Sequence, residues 1–162
     1  MAAAAFVVRP PRTPEEAAAG RDLRWRVLRA PWGRPRGSEL DAHEAGALHL
    51  LAVAPASGAV IGAGRAHFNS PAEAQLRGMA VEEAWPGRGV GAAILRGLES
   101  RAAAAGARRV VLSARDLAVP FYQRRGYRVE RPGQLLFGVR PHSWMAKEVA
   151  LAGAWDGSRR EG

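Results

Sequence analysis

The feature that most constrains this chain of 162 residues is a strand, a glycine-rich turn, a helix and a second strand that follow one another near its middle. Residues 74–81 form an apolar, strand-like run, and glycine occupies three alternate positions in the turn that follows. A helix is predicted next, because apolar residues recur every four positions up to Gly106, a typical helix-ending residue. Residues 108–113 form another strand. A right-handed crossover through one helix makes the two strands a parallel pair.

The flanking strands indicate that this parallel pair lies in a mixed sheet. Residues 47–54 and 59–68 are apolar runs separated by a Pro-Ala-Ser-Gly turn, which predicts a β-hairpin continuing antiparallel into the strand before the glycines. The fold class is therefore predicted as α+β, a mostly antiparallel sheet with one parallel pair, flanked by helices. Further strands are predicted at residues 1–8, 127–129 and 143–150.

Two more helices and one long loop are predicted around this sheet. The first helix should span residues 14–30 with Thr13 as its N-cap, and its apolar positions leave Arg24 to solvent. Residues 31–46 are rich in turn formers and charges, so we expect a mobile surface loop that borders a functional site and does not pack as core. A shorter helix is predicted over residues 119–125.

Composition excludes several classes of protein. The absence of cysteine excludes disulfide frameworks, thiolate zinc sites and cysteine nucleophiles, and favours a cytoplasmic location. No apolar run approaches the roughly 18 residues of a membrane span, so no membrane partner is expected. The net charge of +9 comes from arginines scattered along the chain, with no basic-aromatic stripe, which argues against a nucleic-acid partner. We expect one domain over residues 1–151 and a disordered tail over residues 152–162.

The glycine-rich turn is suited to binding phosphate. Gly87, Gly89 and Gly91 let backbone N–H groups face outward at a helix N-terminus, where the helix dipole favours negative charge. The turn also matches a dinucleotide-binding fingerprint, but five residues separate it from the strand, and the remaining chain is too short for a doubly wound sheet. No lysine follows as in a nucleotide triphosphate loop. The alternative is that the glycines serve only a tight turn.

Two segments resemble one known family. Residues 79–95, which read Met-Ala-Val-Glu-Glu-Ala-Trp-Pro-Gly-Arg-Gly-Val-Gly-Ala-Ala-Ile-Leu, resemble motif A of the GNAT acyl-CoA N-acyltransferases and match its two glycine positions. Residues 118–127, Ala-Val-Pro-Phe-Tyr-Gln-Arg-Arg-Gly-Tyr, resemble the family's motif B. The motifs stand in the family's order, and the resemblance covers residues 6–150. Pro86 departs from motif A, where arginine or glutamine is usual, and it has no N–H to offer a phosphate.

The resemblance implies a bacterial-like N-acetyltransferase that transfers an acetyl group from acetyl-CoA to a primary amine by direct attack in a ternary complex, without a metal. It implies that Tyr122 is the general acid that protonates the departing thiolate. The pantetheine arm would pair with the backbone before the turn, and the pyrophosphate would rest on the amides of the turn. The residues implied in cofactor binding are Met79, Ala80, Val81, Arg88, Gly89, Val90, Gly91 and Ala92. Many proteins of this fold pair as homodimers, and the oligomeric state stays open.

The acceptor amine requires a base or a desolvating pocket. With a pKa near 10.4 the amine is mostly protonated at pH 7, and exposing its lone pair costs about 4.6 kcal/mol. The favoured candidate bases are His43, Glu44 and His142, and the other candidates are His67, Glu73 and Glu82. Polyamines, aminoglycosides, amino acids, protein N-termini and lysines all remain candidate acceptors. A non-catalytic acyl-CoA-binding regulatory module is the alternative function, and a nucleic-acid-binding protein is a weaker one.

Overall fold

The computed structural model describes residues 5–85, 89–133 and 142–150, which form one sheet with helices on both faces. No helix in these ranges is long and apolar enough to cross a membrane. The predicted tail at residues 152–162 lies outside them. In chain order the elements are β1 (Val7–Arg9), α1 (Pro14–Leu28), a 3-10 turn (Ala30–Trp32), β2 (Leu48–Val53), β3 (Val60–Ser70), β4 (Glu73–Val81), α2 (Val90–Ala104), β5 (Arg109–Arg115), a second 3-10 turn (Asp116–Ala118), α3 (Val119–Gln123), β6 (Arg128–Pro132) and β7 (His142–Glu148).

The seven strands confirm the predicted fold class. Their order in the sheet is β1-β2-β3-β4-β5-β7-β6, and every neighbouring pair is antiparallel except β4 and β5. The parallel ladder is short, because only residues 73–75 of β4 pair with residues 109–111 of β5. Beyond these residues the two strands separate, and the sheet opens between them.

The two long helices cover opposite faces of the sheet. Leu50 on β2 belongs to the core cluster that contains Ile94 and Leu98 of α2, and we name this side the α2 face. Leu51, the next residue, packs in a second cluster with Leu23 of α1, and this side is the α1 face. Alternate residues of β2 therefore contact different helices.

Helix α2 approaches the sheet closely because glycines remove side chains beneath it. A Cβ on Gly62 would lie 2.7 Å from side-chain atoms of both Val90 and Ile94. A Cβ on Gly97, within α2, would lie 2.6 Å from Leu50. Contacts this short would force the helix away from the sheet, so these glycines set the depth at which the α2 face is packed.

Helix α1 begins as predicted and ends two residues earlier. The Thr13 side chain accepts a hydrogen bond from the Glu16 N–H at 3.0 Å, an N-cap that holds the first turn. The helix ends at Leu28, and residues Ala30–Trp32 tighten into a 3-10 turn. Pro31 explains the difference, because proline disfavours α-helical geometry in the residue before it.

Candidate active site

The separation of β4 from β5 opens a cleft of about 690 Å³. One wall is the second half of β4, including Gly78 and Met79, and the other is the end of β5. Tyr122 of α3 and His142 and Trp144 of β7 complete the lining together with residues of β6. The edge of β4 that faces this cleft has no partner in β5 beyond Gln75, so its backbone groups are available to a ligand.

A β-bulge at Gly78 shapes the β4 wall. In the β3–β4 ladder Arg77 is opposite Arg65 and Ala80 is opposite Ala63, so two residues of β4 oppose one of β3. Gly78 has a φ of +65°, in the left-handed region that favours glycine. A Cβ there would also lie 2.9 Å from the Cδ atom of the buried Arg24. The bulge therefore requires glycine for both conformation and space.

The N-terminus of α2 lies next to the C-terminal end of β4, since a Cβ on Gly91 would lie 3.7 Å from the Val81 side chain. Gly89 is the N-cap residue with a φ of +76°, and no side chain caps it. The N–H groups of the first helical turn, from Val90 to Ala92, have no partner inside the helix, whereas the Ala93 N–H already binds the Gly89 carbonyl. Two residues of the predicted turn lie outside the described residues: Arg88, predicted to bind the cofactor, and Pro86, which departs from motif A.

Tyr122 lies in the cleft wall with a mostly buried ring. Only 8% of the residue is exposed, and its ring makes edge contacts with Phe121 at 5.0 Å and with Tyr127 at 5.6 Å. Burial raises the pKa of the Tyr122 hydroxyl to about 12, and the charge of Arg115 opposes that rise. The phenol is therefore protonated at neutral pH, and Tyr122 lines the cleft.

The comparisons with known proteins agree with this geometry. Residues 17–127, more than half of the chain, match the model of the acetyltransferase (GNAT) family. The chain belongs to the GNAT family. A curated relative, the uncharacterized N-acetyltransferase YjcF of Bacillus subtilis, is 36% identical over 88 residues. That match covers 54% of this chain and 62% of the relative, so it spans less than two thirds of the relative's length. The family and the relative's name support an acyltransferase enzyme.

Solved GNAT structures show the same fold at low identity. A Lactobacillus plantarum protein assigned as an N-acetyltransferase superposes with a TM-score of 0.78 at 21% identity, covering 90% of this chain and 99% of that one. ElaA of Escherichia coli gives 0.74 at 18% identity, covering 88% and 99%. An aminoglycoside 6'-N-acetyltransferase in complex with coenzyme A gives 0.73 at 17% identity, covering 88% and 96%. The splayed mixed sheet is thus the GNAT fold.

The three favoured candidate bases do not come together in this GNAT site. His142 lines the cleft, as the sequence suggested. Glu44 does not line it, and its carboxylate binds the guanidinium of Arg24 at 2.7 Å. His43 is stacked on His67 with ring centroids 3.8 Å apart, also outside the lining. Of the three, His142 alone is placed to reach a group bound in the cleft.

Among the other carboxylate candidates, salt bridges hold both side chains away from the cleft. Glu73 pairs with Arg109 at 3.0 Å, and Glu82 accepts two hydrogen bonds from Arg26 at 2.9 and 3.1 Å. Neither glutamate belongs to the cleft lining. The described side chains therefore offer no carboxylate as a base in the cleft.

The expectation that Arg24 faces solvent is wrong. Arg24 is 3% exposed and lies beneath the bulge of β4, and Arg65 of β3 is buried to the same degree. The sequence held a signal for this, because Gly20, Leu23 and Arg24 share one stripe of α1, and its first two members are buried against the sheet. Reading the arginine as a solvated charge ignored its place on that stripe.

The loop at residues 31–46 contains no buried residue, which agrees with the expectation that it does not pack as core, but two of its carboxylates bind buried arginines. Its Asp41 carboxylate binds the buried Arg65 in a bidentate pair, with 2.8 Å from Nη1 to Oδ1, and Glu44 binds Arg24. No residue of the loop lines the cleft directly. The loop reaches the cleft through Asp41, whose second partner is Arg77 of the lining at 3.3 Å. It supports the wall from behind.

Proposed function

We propose that this protein is an N-acetyltransferase that transfers an acetyl group from acetyl-CoA to a primary amine by direct attack in a ternary complex. The observation that carries the proposal is the cleft between β4 and β5. One of its walls is the unpaired edge of β4, and the buried, protonated Tyr122 also lines it. Membership of the GNAT family supports the same reaction. Structures of GNAT proteins with coenzyme A and with acetyl-CoA support the choice of acyl donor.

The residues of this chain fit coenzyme A. The amide groups of a pantetheine arm can pair with the free backbone edge of Met79, Ala80 and Val81 as an added strand would. A pyrophosphate can accept hydrogen bonds from the N–H groups of Val90, Gly91 and Ala92, where the helix dipole favours an anion. This arrangement would place the thioester in the gap between β4 and β5, next to Tyr122.

The proposed reaction balances within this site. The amine lone pair attacks the thioester carbonyl carbon, the C–N bond forms, and the C–S bond breaks. Tyr122 donates its hydroxyl proton to the departing sulfur, and the amine nitrogen loses a proton that restores the phenol. The products are an N-acetyl amide and the free thiol of coenzyme A. His142 is the described candidate base in the lining that could relay the amine proton.

Amine-dependent release of free thiol tests this function directly. Purified protein is incubated with acetyl-CoA and members of each amine class, and the acetylated product is identified by mass spectrometry. We expect thiol release that depends on both an amine and the protein. Acetyl-CoA binding in calorimetry without thiol release from any amine class would overturn the enzymatic proposal in favour of the non-catalytic binding module.

A further inference from the structure

The charged side chains that line the cleft are positive. Within the described ranges the lining contains four arginines and neither aspartate nor glutamate. The two internal segments outside those ranges, residues 86–88 and 134–141, contain no acidic residue in the sequence. The four lining arginines are Arg29, Arg77, Arg115 and Arg131.

Two of these arginines lie on the α1 face of the sheet. Leu112 of β5 packs in the core cluster of the α2 face, so alternation places Arg115, three residues later, on the opposite face. Leu76 of β4 packs in the same cluster, and Arg77 beside it pairs on the other side with Asp41. Both side chains therefore belong to the α1 face.

The third arginine lies on the same face, across the cleft. Met145 of β7 packs in the cluster of the α2 face, so Trp144 next to it belongs to the α1 face. The guanidinium of Arg131 lies over the Trp144 ring, 4.9 Å from its centroid. The N-terminus of α2, where phosphate is expected, is on the opposite face, since Val90 packs in the α2 cluster. These arginines are therefore placed for a ligand other than the phosphates.

Among the described residues, the ion pairs of the cluster behind the β4 wall leave one positive charge unmatched. Behind the β4 wall, three arginines share two carboxylates: Arg24, Arg65 and Arg77 pair with Asp41 and Glu44. One positive charge therefore remains in this cluster. This excess positive charge lies on the side of the cleft, because Arg77 is the exposed arginine of the cluster and lines the cleft.

Two further observations indicate the same positive field. Burial lowers the pKa of Arg29, and the charges of Arg77 and Arg65 lower it further. In the described part of the chain, Oε1 of Glu44 is buried without a hydrogen-bond partner, and so are two guanidinium nitrogens, Nη1 of Arg24 and Nε of Arg65. These two atoms lie 3.5 and 3.7 Å from the point that a Cβ on Gly78, a lining residue, would occupy. Two unmatched guanidinium nitrogens thus lie next to a residue that lines the cleft.

We infer that the acceptor is a primary amine that also carries a carboxylate, as an amino acid does, and that Arg77, Arg115 and Arg131 bind that carboxylate. The inference rests on the proposed N-acetyltransferase function and names its substrate class. Guanidinium groups bind carboxylates through paired, charge-assisted hydrogen bonds, which fix the orientation of the acceptor. The products are the N-acetyl acid and coenzyme A.

The same arginines assist the attack without a strong base. A positive field disfavours the ammonium form of a bound amine, so it lowers the amine pKa and raises the fraction with a free lone pair. A polycationic acceptor, such as a polyamine or an aminoglycoside, would meet like charges in the cleft without a compensating carboxylate. The cleft therefore selects against those amines.

A matched substrate panel tests the inference on the intact protein. Each of the twenty amino acids is compared with its carboxamide in the thiol-release measurement, together with O-phosphoethanolamine, ethanolamine and spermidine. We expect the best amino acid to exceed its amide at least tenfold in kcat/KM, because the amide retains the amine and loses the anion.

Variants of the arginines connect this preference to the site. Arg115→Gln and Arg131→Gln should reduce the acid-to-amide ratio at least threefold, mainly by raising KM for the amino acid. Arg128→Gln is the control, because Arg128 is also on β6, pairs with Glu130 and Glu148, and does not line the cleft. It should leave the ratio unchanged.

The outcomes separate this inference from the proposed function. A preference for amides, spermidine or O-phosphoethanolamine over every amino acid overturns the carboxylate assignment and keeps the acetyltransferase. A ratio that falls equally in the Arg128→Gln control also overturns it, because the preference would then come from overall charge. Thiol release from no amine in the panel overturns the proposed function, and the substrate class with it.

Discussion

Removing the Tyr122 hydroxyl tests the proposed chemistry most sharply. Tyr122→Phe retains the ring and its edge contacts with Phe121 and Tyr127, so packing of α3 on the sheet should be preserved. It deletes a proton donor whose pKa is raised to about 12 by burial. General acid catalysis typically contributes a factor of about 10² or more, which corresponds to roughly 2.7 kcal/mol in the barrier. We therefore expect kcat to fall by about 10²-fold.

Tyr127→Phe provides a matched control in the same cluster. The Tyr127 hydroxyl donates to the Glu99 carboxylate at 2.8 Å, and Tyr127 does not line the cleft. Losing a buried hydrogen bond to a charged group costs roughly 1.5–3 kcal/mol of stability. The control should unfold at a lower denaturant concentration and retain kcat within about threefold. Tyr122→Phe should show the reverse, a lower kcat with its melting temperature and acetyl-CoA affinity nearly unchanged.

The measurement is single-turnover thiol release across pH 6–10, combined with denaturant unfolding of both variants. Because the phenol pKa lies near 12, wild-type kcat should show no decline from loss of the Tyr122 proton anywhere in this range. The assignment is falsified if Tyr122→Phe keeps at least half of the wild-type rate in the chemical step. The proton would then come from water or another side chain.

Three further predictions concern the support of the site. Gly78→Ala should destabilise the fold by about 1–2 kcal/mol in denaturant unfolding, because φ is positive and the added Cβ contacts Arg24. Glu44→Ala leaves the buried Arg24 guanidinium without its carboxylate and should lower the free energy of unfolding by about 3–5 kcal/mol. Arg26→Gln removes an exposed ion pair and should lower it by less than about 1 kcal/mol. Equal losses in the two variants would contradict the role of burial. Hydrogen bonding from a buried guanidinium lowers the pKa of Asp41 from its usual value of 3.8, so this carboxylate stabilises the fold fully above about pH 5 and progressively less as the pH falls. The unfolding midpoint of Asp41→Asn should therefore depend less on pH between 2 and 5 than that of wild type.

Most of the fold could be predicted from local patterns. Alternating apolar runs, the Pro-Ala-Ser-Gly turn and the four-residue repeat after Gly89 are properties of neighbouring residues, and the hairpin, α2 and the parallel crossover all followed from them. The end of α1 was missed by two residues, because Pro31 disfavours α-helical geometry in the residue before it and a 3-10 turn forms there. The two family motifs led to the predictions that the glycine-rich turn binds the cofactor and that Tyr122 is the general acid, and these stay predictions.

The acceptor side was much less predictable. His43 and Glu44 are adjacent to each other in sequence and were expected at the acceptor wall, yet the structure pairs them with His67 and Arg24 outside the cleft. Arg131 is 54 residues from Arg77, and nothing in either local pattern indicates that both line one cleft. Contacts of this kind depend on strand order, which local patterns do not encode.

The sequence by itself determined which segments become strands and helices, where the parallel pair lies, and that a glycine stands at the N-cap of α2. These properties depend on side-chain periodicity and glycine conformation, which act over a few residues. The tertiary structure alone decided that the sheet opens after Gln75, that Arg24 is buried, and that the charged side chains described in the cleft lining are all arginines. The physical reason is that burial and electrostatic potential are sums over residues distant in the chain, brought together only by the folded sheet.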